Sequence, residues 1–370
     1  MTHRERFLAV LEGRKPDRIP WVPRLDIWYN YHTRRNNMPS GYRGLGLDAI
    51  RRKLGAGHAA RDGKVYKKVC EGFEIKEKFI GNELHRHLIT PIGTVTEILV
   101  RDPDFPEGDY LHKGHFIKQV EDYKVMEYVE QHTHYEPDYP SYVKYDEEIG
   151  DEGLPICHTG DVPMNTIIRE YIGYDNGFLE LLDHEDEIES LNETMLKKIS
   201  EMQQVVLESP GILFLHGLHF DTQMTSPPYF KKYLVPYFQD FCPRLKQRGK
   251  WLATHNDADS TLLLELMKEA QIPMVDCLAT SPLVKCTLES VLQAWGDSIV
   301  IWGGIPSTLL CRETAGEDKL EEYMNYFLSL YNQGRIIAGV SDNVMPETDI
   351  ERLERVSEIL SLEKSATYAH

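Results

Sequence analysis

Along the second half of the chain, short apolar runs end in polar residues and then give way to segments with helical periodicity. The runs are 154–161 (LPICHTGD), 212–221 (ILFLHGLHFD), 251–257 (WLATHND), 274–282 (MVDCLATSP), 299–307 (IVIWGGIPS) and 335–343 (RIIAGVSDN). Between and after them, apolar positions recur every three or four residues over 178–207, 228–247, 262–270, 288–295, 318–331 and 350–360. An uninterrupted apolar run of strand length fits a strand buried on both faces, and alternation with helices implies parallel pairing. The first half is less regular. Thr2 followed by Glu5 predicts a capped helix to Leu11, Arg18–Tyr31 reads as extended and aromatic, and Leu47–Leu54 reads as a helix. Phe79–Val100, with its Thr90-Pro91-Ile92-Gly93 turn, predicts a β-hairpin. Asp102–Asp109 and the long stretch Gln131–Pro155 read as loops, the latter a surface connection, a lid or a docking segment.

Six strand–helix units plus an early strand near Ile19–Ile27 approach the eight of a (β/α)8 TIM barrel. The competing doubly wound sheet lacks support, because no GxGxxG or GxxxxGK[ST] loop follows any strand. The expectation is a single domain over residues 1–370. Residues 1–150 would hold an N-terminal extension, the first strand and the hairpin insertion.

A barrel gathers its chemistry at the C-terminal ends of its strands. Those ends carry His158 and Asp161, then His216, His219 and Asp221, then His255 and Asp257, then Asp276 and Cys277, then Ser307, Ser341 and Asp342. His255 and Asp257 lie two residues apart at one strand end, a spacing that turns both side chains to one face and suits metal ligation or acid/base work. Gly217, Gly303, Gly304 and Gly339 leave room near the same ends. Upstream, Arg24 and Asp26 would share one face of an extended segment, with Trp28 and Tyr29 beside them, a setting for a planar or carboxylated ligand.

Composition narrows the function classes. Lys+Arg total 41 against Asp+Glu 59, a formal charge of −18, so a general nucleic-acid role is disfavoured. A hydrophobic fraction of 41% suffices for a large core. The six cysteines show no CxxC or pairing pattern, which fits free thiols in a reducing cytoplasm. The charged N-terminus has no signal-peptide core, and no apolar run approaches a membrane span.

The opening MTHRERFLAVLEGRKPDRIPW, the TPIGTV turn, SPPYFKKYLVPYF, the HND turn and WGGIP together resemble the uroporphyrinogen decarboxylase superfamily. That superfamily joins decarboxylases and corrinoid-dependent methyltransferases on a (β/α)8 barrel. The decarboxylases open with a W-x-M-R-Q-A-G-R-like segment. Here PWVPRLDIWYNYH keeps Arg24 without QAGR, which weakens the decarboxylase reading. The thiol-dependent methyltransferases hold zinc on H-x-C and a late cysteine. Here those positions correspond to His255-Asn256-Asp257 and Asp342, so carboxylates replace both thiolates.

DIWYN, YRGLGLD, LGAGH, WGGIPS and GVSDNVMP most resemble the methyltransferase I component of bacterial O-demethylases. The resemblance implies transfer of a methyl group from a methoxylated aromatic to cob(I)alamin. The cobalamin would ride on a partner corrinoid protein, because this chain has no D-x-H-x-x-G motif. It further implies zinc, or failing that an acid/base cluster, at His255, Asp257 and Asp342. His219 and Asp221 would orient substrate or complete the metal shell, and Arg24, Asp26, Trp28, Tyr29, Asp161 and Cys277 would line the substrate site. A tetrapyrrole decarboxylase, a methylcobalamin:tetrahydrofolate methyltransferase and a non-catalytic corrinoid-protein docking barrel remain open.

Overall fold

The computed structural model describes residues 1–106, 108 and 110–362. Two positions of the loop expected over 102–109, residues 107 and 109, lie outside them. The chain gathers into two compact units, one formed by Met1–Gly63, Tyr142–Gly160 and the chain from Gly211 onward, the other by Lys64–Ser141 and Asp161–Pro210.

The first unit is a parallel (β/α)8 barrel. Its six regular strands are Ile156–His158, Leu213–Leu215, Trp251–His255, Met274–Leu278, Val300–Ile305 and Ile336–Val340, each beside its neighbour in chain order. Every one falls inside an apolar run read from the sequence. Two short N-terminal stretches close the ring. Trp21 pairs in parallel with Ala338, Gly57 N–H donates to the Trp21 carbonyl (2.8 Å), and Gly63 pairs in parallel with Cys157. The second of these, Gly57–Gly63, has no apolar run (GHAARDG), so the sequence concealed it. The helices Leu288–Trp295, Glu317–Tyr331 and Ile350–Leu362 fall where the periodicity places them.

The helix His3–Leu11 starts as predicted. Thr2 Oγ1 accepts from Glu5 N–H (3.1 Å) and Glu5 Oε2 accepts from Thr2 N–H (2.8 Å). Its Phe7, Val10 and Leu11 join Leu213, Ala253, Met274, Val300 and Ile337 in one buried cluster, and Phe7 meets Trp302 edge to face at 5.1 Å.

Three expectations fail here. Arg18–Tyr31 is not extended throughout, because Asp26–Arg34 is a helix. Pro20 and Pro23 keep the first part extended, but nothing beyond Pro23 blocks a helix, and aromatic residues are strand formers only by packing. Arg24 and Asp26 therefore do not share a strand face. The stretch Gln131–Pro155 contains a strand, Thr133–Pro137, and a helix, Tyr139–Ile149, rather than a long loop. The periodicity over 178–207 belongs to two helices, Tyr174–Asp183 and Glu185–Glu208, that break at His184.

The second unit contains the predicted hairpin, Glu83–Thr90 with Gly93–Val100, inside a four-stranded antiparallel sheet with Glu74–Ile80 and Leu111–Gly114. The helix Val120–Gln131 packs on the buried face formed by Leu84, Leu88, Val95 and Leu99. The strand Thr133–Pro137 pairs separately with Tyr66–Cys70. Among the described residues no helix is long and apolar enough to cross a membrane.

His216, one of the strand-end histidines, belongs to the core of the first unit rather than to a site. It is wholly buried, accepts at Nε2 from the Tyr237 hydroxyl (2.8 Å), and packs against Phe238 and Phe241. Burial lowers its pKa from 6.5 to about 4. Because the unfolded chain protonates this ring first, its contribution to stability is fully present above pH 6.5 and is lost as pH falls toward 4. Urea unfolding should therefore show about 2 kcal/mol of acid-induced loss between pH 7 and pH 5 from this residue. His216→Gln should flatten the pH dependence by that amount, and an unchanged slope would contradict the assignment.

Candidate active site at the strand ends

The Trp251–His255 strand delivers His255 with only 7% of its surface exposed, and Asp257 follows two residues on. Between them Asn256 turns the other way and is fully buried, accepting from Thr254 Oγ1 (2.8 Å) and donating to Ser260 Oγ (3.2 Å). The alternation brings His255 Nε2 and Asp257 Oδ2 to 3.5 Å. Asp342, just beyond the Ile336–Val340 strand, places Oδ1 at 3.5 Å from the same Nε2. Ligand atoms of His255, Asp257 and Asp342 all lie within 4.8 Å of one another.

The other face of the ring is held by a residue to which the sequence gave no role. Asp276 is wholly buried, and its Oδ2 accepts from His255 Nδ1 (3.1 Å) and from Arg61 Nη2 (2.5 Å). An ionised carboxylate can only accept, so Nδ1 carries the proton and Nε2 is the atom aimed at Asp257 and Asp342. Arg61 comes from the stretch that the sequence did not reveal as part of the barrel.

A regular strand could not present both Asp276 and the adjacent Cys277 to His255. Here the register against the next strand advances from Val275↔Ile301 to Leu278↔Gly303, so one extra residue bulges. Cys277 takes a left-handed backbone (φ 57°), and Gly303 accommodates the bulge, since a Cβ there would lie 2.6 Å from Leu278 N. As a result His255, Asp276 and Cys277 form a second cluster of possible ligands. His219 (φ 55°) and Asp342 (φ 60°) share the left-handed conformation, so among the described residues three of the six non-glycine residues with positive φ belong to this site.

Charges are closely matched. Arg24 Nη1 donates to Asp342 Oδ1 (2.9 Å) and approaches Cys277 Sγ (3.6 Å). His219 Nδ1 bonds Asp257 at 3.1 Å. Burial alone would lower the pKa of His255, but Cys277 and the nearby carboxylates of Asp257, Asp276 and Asp342 raise it well above 6.5. Burial alone would raise the carboxylates, but His219 and His255 hold Asp257 below its usual range, Arg61 and His255 do so for Asp276, and His255 and Arg24 for Asp342. The network thus favours a positive charge at Nε2, whether a proton or a metal ion.

The remaining sequence candidates make other contacts. Asp221 Oδ1 accepts from Gln223 N–H (2.8 Å) and Met224 N–H (3.1 Å), shaping its own turn. Trp28 is fully buried against His32 and Tyr42, while Asp26 is exposed and Tyr29 half-buried on the same helix. Asp161 belongs to the second unit, where Oδ2 pairs with Arg169 Nη1 (3.1 Å).

The model of the uroporphyrinogen decarboxylase (URO-D) family matches residues 174–361, slightly more than half of the chain. The chain belongs to the uroporphyrinogen decarboxylase family. A search of curated proteins finds no match. A solved structure from Listeria monocytogenes, proposed to be a vitamin-B12 independent methionine synthase, aligns over 94% of this chain and 95% of its own at 11% identity. Its TM-score of 0.35 is too low to bear on fold or chemistry. Members of the URO-D family are mostly enzymes.

Asp276→Asn leaves the shape of the site intact while stranding the Arg61 charge. Breaking one side of a buried ion pair costs about 3–5 kcal/mol. Urea unfolding should show a loss of that order for Asp276→Asn and less for Arg61→Met with Asp276→Asn combined. A single-variant loss under about 1 kcal/mol would show that the pair is not structural.

Proposed function

We propose that the protein transfers a methyl group from the ether oxygen of a methoxylated aromatic compound to cob(I)alamin on a separate corrinoid protein, with zinc held by His255, Asp257 and Asp342. The observation supporting this reading is the 3.5 Å spacing of His255 Nε2 from both carboxylate oxygens. That is long for a hydrogen bond but matches the separation of about 3.3–3.6 Å between neighbouring tetrahedral ligands on zinc at about 2.0–2.2 Å. One nitrogen and two oxygens form a hard donor set, suited to an oxygen-bearing substrate rather than a thiol. Bound there, the metal would supply Lewis acidity to the ether oxygen.

In the transfer the carbon–oxygen bond would break as the methyl carbon passes to cob(I)alamin brought by the partner, the phenolate leaving with the electron pair. This chain orients the leaving-group side of that event. Asp276 fixes the tautomer of His255, Arg24 holds the same Asp342 oxygen that faces His255, and half-exposed His219, bonded to Asp257, would donate a proton to the departing oxygen.

A second reading, decarboxylation of a tetrapyrrole, draws on Arg24 and Arg61. Nε of both and Nη1 of Arg61 are buried without a hydrogen-bond partner, and carboxylates of a substrate would satisfy them.

The test is incubation with reduced corrinoid protein and a panel of methoxyarenes, following the cobalamin absorbance. Methylcobalamin should form, chelation should abolish it, and zinc should restore it. His255→Ala and Asp257→Ala should each lower the rate by roughly a hundredfold or more. Absence of methyl transfer from every arene would overturn the proposal, and turnover of uroporphyrinogen in that case would favour the second reading.

A further inference from the structure

At the opposite end of the same strands lies a cleft of about 730 Å³. Lys250 and Trp251 open the strand that ends at His255, Pro273 precedes the strand bearing Asp276, and Arg335 precedes the strand leading to Asp342. The floor is apolar, formed by Leu11, Trp251, Ile272 and Ile299. The walls carry four cations, Lys246, Lys250, Lys268 and Arg335, and one carboxylate, Glu12.

Four cations around one apolar cleft stand out in a chain with a net charge of −18. Among the described residues, Lys246, Lys268 and Arg335 make no ion pair, because Lys268 donates to the Ala294 carbonyl (2.8 Å) and Arg335 Nη1 to the Leu11 carbonyl (3.1 Å). Arg335 Nε is buried with no hydrogen-bond partner, and its guanidinium lies 5.7 Å from the centre of the Trp251 ring. Burial lowers the Lys250 amine to about 8, a sign of a cation held away from bulk water. A volume of this size suits a small organic molecule, and its chemistry is read from a flat apolar floor ringed by positive charge.

We propose that this cleft is a second ligand site, for an organic anion with a flat apolar body and at least one carboxylate or phosphate group. The apolar body lies against the partly exposed Trp251 ring, and the anionic group meets Lys246, Lys268 and the unpartnered Nε of Arg335. The site is independent of the chemistry proposed at the other end of the barrel.

The test is fluorescence titration of the full chain with 8-anilinonaphthalene-1-sulfonate, using the neutral N-phenyl-1-naphthylamine as control. One saturable site should appear for the anionic dye alone, with quenching of tryptophan emission that Trp251→Phe removes. Lys246→Glu with Lys268→Glu, both at exposed positions, should weaken binding tenfold or more, and His255→Ala should leave it unchanged. Competition by benzoate and by phenyl phosphate separates carboxylate from phosphate preference. The proposal fails if no saturable site appears, if the neutral dye binds as well, if the charge reversals change affinity less than twofold, or if His255→Ala abolishes binding.

Discussion

The candidate site depends on one buried chain of contacts, from Arg61 to Asp276 to His255. Each member comes from a different part of the barrel ring, and each needs the next. Asp276, with none of its surface exposed, would not keep its charge without the Arg61 guanidinium. His255 would not keep Nε2 turned outward without Asp276 on Nδ1. The two outward carboxylates, Asp257 and Asp342, then face a nitrogen whose direction is already set. The other cluster, His255 with Asp276 and Cys277, contains this ion pair. A metal there would have to displace both the Nδ1 proton and the ion pair with Arg61.

The backbone contributes as much as the side chains. The bulge at Asp276–Cys277, opposite Gly303, lets two successive residues face one ring, and left-handed conformations at His219 and Asp342 aim two more side chains at the same cluster. Such conformations cost energy and persist where surrounding structure enforces them. Their concentration at these strand ends marks the same place that the electrostatics mark.

Much of this was legible in the sequence, for reasons that can be stated. The six regular strands are buried on both faces, so each left an unbroken apolar run, and the helices between them left a clear period. The spacing of His255 and Asp257 encodes their convergence through strand alternation. Proximity of Asp342 came from resemblance alone, since no local pattern links it to His255. Arg61 left no signal, because its stretch joins the barrel through isolated pairings at His58 and Gly63 rather than through an apolar run. The role of Asp276 was hidden by the bulge, which no periodicity predicts. Asp26–Arg34 is a helix despite its aromatic residues because these favour strands only through packing, and Trp28 is a core side chain of the helix. Asp161 ends the same apolar run as His158 and pairs with Arg169 in the second unit.

The central claim is that a metal ion binds His255 through Nε2 and completes its inner shell with the oxygens of Asp257 and Asp342. X-ray absorption at the zinc edge of the loaded protein tests it most directly. The account predicts a first shell of nitrogen and oxygen alone at about 2.0–2.2 Å. A sulfur scatterer at about 2.3 Å, which Cys277 would supply, would contradict it.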